Sequence, residues 1–287
     1  MNTGREDGRV VSGVTLPSLF GFARQPRPRV VGGSVGILSL RTLIGLLFCT
    51  LAGGVSAGSY FELPTQPPPA AYGNLLINRI SVRNGIAPVV FPHWIHRARY
   101  TCRVCHIELG FNMAVNTTEI TEKRNRHGQY CGACHNGKRS FGETDRHQCR
   151  RCHNGNRYVG EARFRKFAAG LPRTSFGNRI DWVKALHEGK IKPVRSLHPS
   201  AYKPLQFEKD LVLKAAWKMV PPAYFSHRIH DQWLGCANCH PSLFNIKRHT
   251  TRHFSMVANL NGRFCGSCHL RVAFPLDDCR RCHPKMR

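Results

Sequence analysis

Acidic residues are scarce: the 287-residue chain holds 16 Asp and Glu against 43 Lys and Arg, a formal charge of +27. Such an excess of cations by itself suits a nucleic-acid partner. No recognisable nucleic-acid motif accompanies it, and nucleic-acid binding is not expected. Long apolar runs are missing as well. The apolar segment at residues 42–52 is too short for a membrane span and is closed upstream by Arg41. The composition does not suggest a large conventional core either, although the length would suffice for two domains. Cysteine outside a single pattern is almost absent: of 13 cysteines, only Cys49 falls outside it.

That pattern is C-x-x-C-H, present six times: Cys102/Cys105/His106, Cys131/Cys134/His135, Cys149/Cys152/His153, Cys236/Cys239/His240, Cys265/Cys268/His269 and Cys279/Cys282/His283. A lone C-x-x-C is equally a zinc knuckle or a disulfide. Here a histidine follows every pair, although the chain has only 16 histidines. This is the attachment signal for c-type haem, in which two thiols bond the vinyl groups and the histidine ligates iron. Six covalently attached haem c groups are therefore expected, and they take over much of the work of an apolar core.

The haems also change the charge. Residues 1–57 hold six arginines against Glu6 and Asp7, which leaves +23 for the remainder. Twelve ionised propionates would bring this to about +11 with every iron ferrous. The surface stays basic and suits redox proteins with acidic docking faces, such as other cytochromes or a quinol-linked membrane complex.

Residues 1–57 read as a secretory signal region, with the apolar run followed by G-G-V-S-A and a cut after Ala57. Cys49 is expected to leave with it. Export to the periplasm agrees with haem attachment outside the cytoplasm; membrane association through an uncleaved signal is the alternative. A proline-rich lead-in at residues 62–72 precedes an expected β-hairpin over residues 75–90, with Asn84-Gly85 in its middle. A short helix is expected over residues 180–188 from the spacing of Ile180, Val183 and Leu186, with Asp181 at its start and Gly189 at its end. Pro193, Pro199 and Pro204 then keep the chain extended, and residues 211–224 repeat the role of the first hairpin. The resulting division is residues 58–160, a linker at 161–210, and residues 211–287.

The two halves are copies. His93, His96, Cys102, Cys131 and Cys134 recur 134 residues later as His227, His230, Cys236, Cys265 and Cys268. Register slips only before the third motif, where Cys279 answers to Cys149. Each half opens on F-x-H-x-x-H, so the chain offers ligands for both sides of an iron.

F-x-H-x-x-H followed by three C-x-x-C-H motifs resembles the trihaem class of multihaem cytochromes, the c-three and c-seven type, present twice. The resemblance covers residues 75–153 and 211–283. It implies a small, mostly irregular, haem-packed fold with short helices and hairpins, and low-potential electron transfer. It also implies a ligand set. His93 would serve the haem on Cys102/Cys105 and His96 the haem on Cys131/Cys134. His227 and His230 would do the same for Cys236/Cys239 and Cys265/Cys268. For the third haem, family members use a histidine four residues before the middle motif or a methionine nine before it. Those positions hold His127 in the first half and Met256 in the second. A thioether favours ferrous iron, so the haem on Cys279/Cys282 is expected to have the highest potential. His249 or His253 could replace Met256, and His147 could replace His127. Met113 is assigned to packing, His187 and His198 to solvated surface, and Phe91 and Phe225 to packing against the first haem of each half.

The expected function is an exported hexahaem electron carrier rather than an enzyme. The alternatives are a haem reductase with one open iron and an electron-transfer subunit of a larger respiratory or extracellular assembly.

Overall fold

The computed structural model describes residues 63–142, 146–205, 207–247 and 249–286. The signal region and Cys49 lie outside them. Among the described residues no helix is long and apolar enough to cross a membrane.

Both expected hairpins are present. Strand β1 (Asn74–Ile77) pairs antiparallel with β2 (Val89–Pro92), Leu75 opposite Phe91 and Leu76 opposite Val90. Between them a 3-10 turn at Val82–Asn84 closes on Gly85, which takes the left-handed φ of 67° that Asn-Gly sequences favour. Strand β2 runs directly into helix α1 (His93–Arg97), so the hairpin aims both histidines of F-x-H-x-x-H. The rest of the first half is built of single turns: a π-helical turn at Val104–Glu108, α2 (Glu122–Arg126), 3-10 turns at Tyr130–Ala133 and Arg146–Gln148, and α3 (Cys149–Cys152).

The second half repeats this plan. Strands β3 (Asp210–Leu213) and β4 (Ala223–Ser226) lead into a helix at His227–Asp231. One-turn helices follow at Met256–Leu260, Gly266–His269 and Cys279–Cys282.

The linker differs from expectation. It holds two helices, α4 (Glu161–Ala168) and α5 (Trp182–His187), before the second half supplies α6 (His227–Asp231), α7 (Met256–Leu260), α8 (Gly266–His269) and α9 (Cys279–Cys282). Asp181 caps α5 by accepting from the Lys184 amide at 3.0 Å. Far from being a simple extended spacer, the linker carries the principal apolar cluster. Phe164, Ala168, Ile180, Trp182, Ala185 and Ile191 pack there against Trp94 of the first half and Trp233 of the second. The physical reason is that the linker has no haem motif, so only conventional packing can order it; each large side chain buried contributes about 1.5–3 kcal/mol.

Polar contacts fasten the same junction. The ion pair of Arg103 with Glu108 is joined by the Ser196 hydroxyl at 2.5 Å and the Leu197 amide at 2.7 Å, both donating to the Glu108 carboxylate. The Arg103 amide donates to the Trp233 carbonyl at 3.2 Å, and Tyr72 donates its hydroxyl to the Ala273 carbonyl at 2.5 Å. Residues 60–287 accordingly form one compact unit.

Candidate haem-binding sites

Each C-x-x-C-H lies on a short helical turn. In five motifs the histidine amide donates to the carbonyl of the first cysteine, as His135 does to Cys131 at 2.8 Å and His269 to Cys265 at 2.9 Å. None of the twelve motif cysteines forms a disulfide. Burial pushes the thiols of Cys105, Cys265 and Cys268 up to about 12, so they are protonated at neutral pH. Among the described residues no three His, Cys, Asp or Glu side chains converge on a metal-sized point. A structural zinc cluster, which needs several thiolates or imidazoles at one point, does not fit this arrangement.

The histidines fit iron. In all six motifs Nδ1 lies against a backbone carbonyl: His106 on Phe111 at 2.8 Å, His135 on Phe141 at 3.3 Å and His153 on Ala87 at 2.9 Å. The second half matches, with His240 on Phe244 at 2.6 Å, His269 on Phe274 at 2.9 Å and His283 on Pro221 at 2.7 Å. The non-motif histidines do the same. His93 donates to Gly73 at 2.8 Å, His96 to Pro92 at 2.9 Å, His227 to Lys209 at 2.7 Å, His230 to Ser226 at 2.7 Å and His127 to Lys123 at 2.6 Å. A carbonyl can only accept, so each Nδ1 carries a proton, and Nε2 is the nitrogen left to bind a metal. Burial pushes His93 down to about 3 and His96 and His269 to about 4, with neighbouring cationic groups adding to the effect. Neutral imidazole is the ligating form.

Two pairs of rings come close, tilted to one another by 57° and 62°. His96 and His135 have centroids 6.3 Å apart, and their copies His230 and His269 are 6.2 Å apart. Two imidazoles holding one metal between them, each nitrogen about 2 Å from it, require a centroid separation of about 6 Å. Phe91 stacks on His96 at 4.2 Å and meets His93 edge-on at 4.8 Å; Phe225 stacks on His230 at 4.3 Å and meets His227 edge-on at 4.9 Å. The phenylalanines thus orient both histidines of each F-x-H-x-x-H.

The residues expected as third-haem ligands lie at one helix in each half. His127 is the C-cap of α2, whereas Met256 opens α7 and is 44% exposed. His249 and His253 sit in the loop before α7 with left-handed φ of 64° and 59°. His147, His187 and His198 are exposed, and Met113 is half-buried.

Residues 89–154 and 223–284 match the family model "Cytochrome c7 and related cytochrome c". The chain therefore carries two cytochrome c7-type regions in tandem. Electron transfer through covalently bound haem c is what that family implies. The cytochrome is also similar to solved structures of a dodecahaem cytochrome c, GSU1996. Its C-terminal hexahaem fragment is 25% identical over 76% of this chain and 99% of that one, with a TM-score of 0.25. The whole dodecahaem protein is 27% identical over 75% of each chain, again at 0.25. No curated protein matches the chain. The assignment rests on the two family-model matches and the motifs inside them.

Proposed function

We propose that the cytochrome carries six haems, three in residues 58–160 and three in residues 211–287, joined by the linker at 161–210. It passes electrons between redox proteins after export to the periplasm. The observation that carries this reading is the close approach of His96 to His135 and of His230 to His269, repeated within 0.1 Å of ring separation. Each bound haem supplies a one-electron ferric/ferrous couple.

The chain's own residues do the rest. Twelve thiols fix the positions of the groups, and the motif histidines supply one ligand each. His93, His96, His127, His227, His230 and Met256 supply the second, so that all six irons are closed to substrate. Backbone carbonyls hold every imidazole in one tautomer and orientation, which keeps ligand geometry constant between oxidation states. Met256 in place of a sixth histidine raises the potential of the site on Cys279/Cys282 and biases electrons toward it. The basic surface guides acidic partners into contact.

The test is a haem count by mass and pyridine haemochrome, followed by electron paramagnetic resonance and near-infrared magnetic circular dichroism of the oxidised protein. Six low-spin haems, one with a methionine charge-transfer band that disappears in Met256→Ala, are expected. A high-spin iron that binds cyanide or nitrite in the wild type would overturn the carrier in favour of a reductase.

A further inference from the structure

Arg97 closes α1, and its position in the repeat is taken by Asp231 in the second half. The two therefore carry opposite charge at equivalent points. Asp231 lies within 3.4 Å of Arg195. Arg97 has no such partner: among the described residues no carboxylate pairs with it.

Its surroundings are well defined. Nη1 donates to the Val272 carbonyl at 2.8 Å. The guanidinium lies 4.5 Å from the ring centroid of Trp182 and 5.0 Å from that of Trp233. Nε is fully buried and has no acceptor. The chain groups that could offset this charge are the thiols of Cys102 and Cys268 and the phenol of Tyr72. Burial, followed by the nearby Asp277, raises the Tyr72 phenol, so it stays neutral. Haem attachment turns the two thiols into uncharged thioethers. A buried guanidinium with an orphaned N–H and no counter-ion costs several kcal/mol, and the groups that complete such a site most effectively are carboxylates, which take its planar N–H edge in a fork.

The position selects the carboxylate. Cys102 belongs to the first haem motif of the first half and Cys268 to the middle motif of the second, and both lie beside Arg97. We propose that Arg97 is the carboxylate-binding residue of the junction between the halves. Its Nε edge takes a propionate of the haem on Cys102/Cys105 or of the haem on Cys265/Cys268. Its charge raises the potential of both sites, because a nearby cation disfavours the ferric state. The assignment rests on the hexahaem reading above and adds to it a link between the two trihaem groups.

Arg97→Gln and Arg97→Lys would be compared with wild type, first by haem count and then by a redox titration that follows individual haem-methyl resonances. With Arg97→Gln, the potentials of two haems are expected to fall. The shift is on the order of tenfold in the oxidised-to-reduced ratio at fixed poise, about 59 mV for a one-electron couple, and the other four haems stay in place. The larger fall marks the haem whose propionate is bound. Arg97→Lys keeps the charge and should lose less than half as much. A uniform shift of all six, no shift, or Lys behaving as Gln would overturn the assignment.

If Arg97→Gln does not assemble, Arg97→Lys is set against Trp182→Leu, which removes a stacked ring and keeps the guanidinium. A selective shift with Lys but not with Trp182→Leu supports the carboxylate role, and equal behaviour of the two overturns it. A wild-type haem count other than six would count against the hexahaem reading, and is read separately from the two-site shift.

Discussion

Helices α2 and α7 are the same helix in two halves of one chain, offset by 134 residues, yet the third-haem ligands proposed on them differ. Thr121 and Ser255 cap them alike, each hydroxyl oxygen accepting an amide three residues on at 3.2 Å. Beyond them Tyr130 and Phe264 share a left-handed φ of 48°. The side chain at the C-cap makes the same local bond in both. His127 donates Nδ1 to Lys123 at 2.6 Å, and Asn261 donates Nδ2 to Val257 at 2.9 Å. Asparagine thus preserves the structural half of histidine's job and lacks the Nε2 that could reach a metal. At the other end, Met256 stands where the first half has Glu122. The proposed exchange of imidazole for thioether thus needs two side-chain changes and leaves the shared caps in place.

The strongest way to break this equivalence is through its tightest contact. A Cβ on Gly132 would lie 1.8 Å from the Asn125 carbonyl oxygen, and one on Gly266 would lie 1.8 Å from that of Asn259. The obstacle is backbone, which cannot rotate away as a side chain would. Gly132→Ala and Gly266→Ala should each cost about 3 kcal/mol or more, read as denaturant unfolding of the haem-loaded protein. If one glycine tolerates alanine and the other does not, the two haem turns are not equivalent.

The next largest effect sharpens the ligand exchange itself. Met256→Ala with Asn261→His gives the second half the first half's proposed ligand set. Because Asn261 already makes the local bond, stability should change little. The potential of the site on Cys279/Cys282 should fall on the order of 100 mV, a small part of the roughly 0.8 V that axial ligands span. If Met256→Ala alone leaves the near-infrared methionine band in place, Met256 is not the ligand. If the wild type shows six bis-histidine haems and no such band, His249 or His253 has the role.

Elements fixed by local chemistry were legible in the sequence, and those fixed by tertiary contact were not. The hairpins followed from apolar segments around Asn84-Gly85 and their counterparts, and α5 followed from Ile180, Val183 and Leu186 behind the Asp181 cap. Helix α4 was missed, although Phe164 and Ala168 keep helical spacing, because Gly160 offers no capping side chain. The junction had no local signal at all. Trp94 and Trp233 are not related by the 134-residue repeat, and only the linker's packing brings them into one cluster. The burial of Arg97 likewise depends on α1, α5 and two segments of the second half, so no window of sequence could reveal it.

The smallest effect asks whether methionine at the start of this helix is sufficient to capture an iron. Glu122→Met places the second half's residue in the first half while His127 remains. The change removes an exposed pair in which Glu122 accepts from Arg126 at 2.6 Å, one turn along α2. Exposed pairs at this spacing are worth about 0.3–0.5 kcal/mol, so unfolding should move by no more than that. Imidazole is the stronger donor and His127 is already oriented by Lys123, so the variant should keep its histidine spectra and its potential. A new methionine band on the first half would mean that the helix start, rather than the loss of histidine at its end, decides which atom binds.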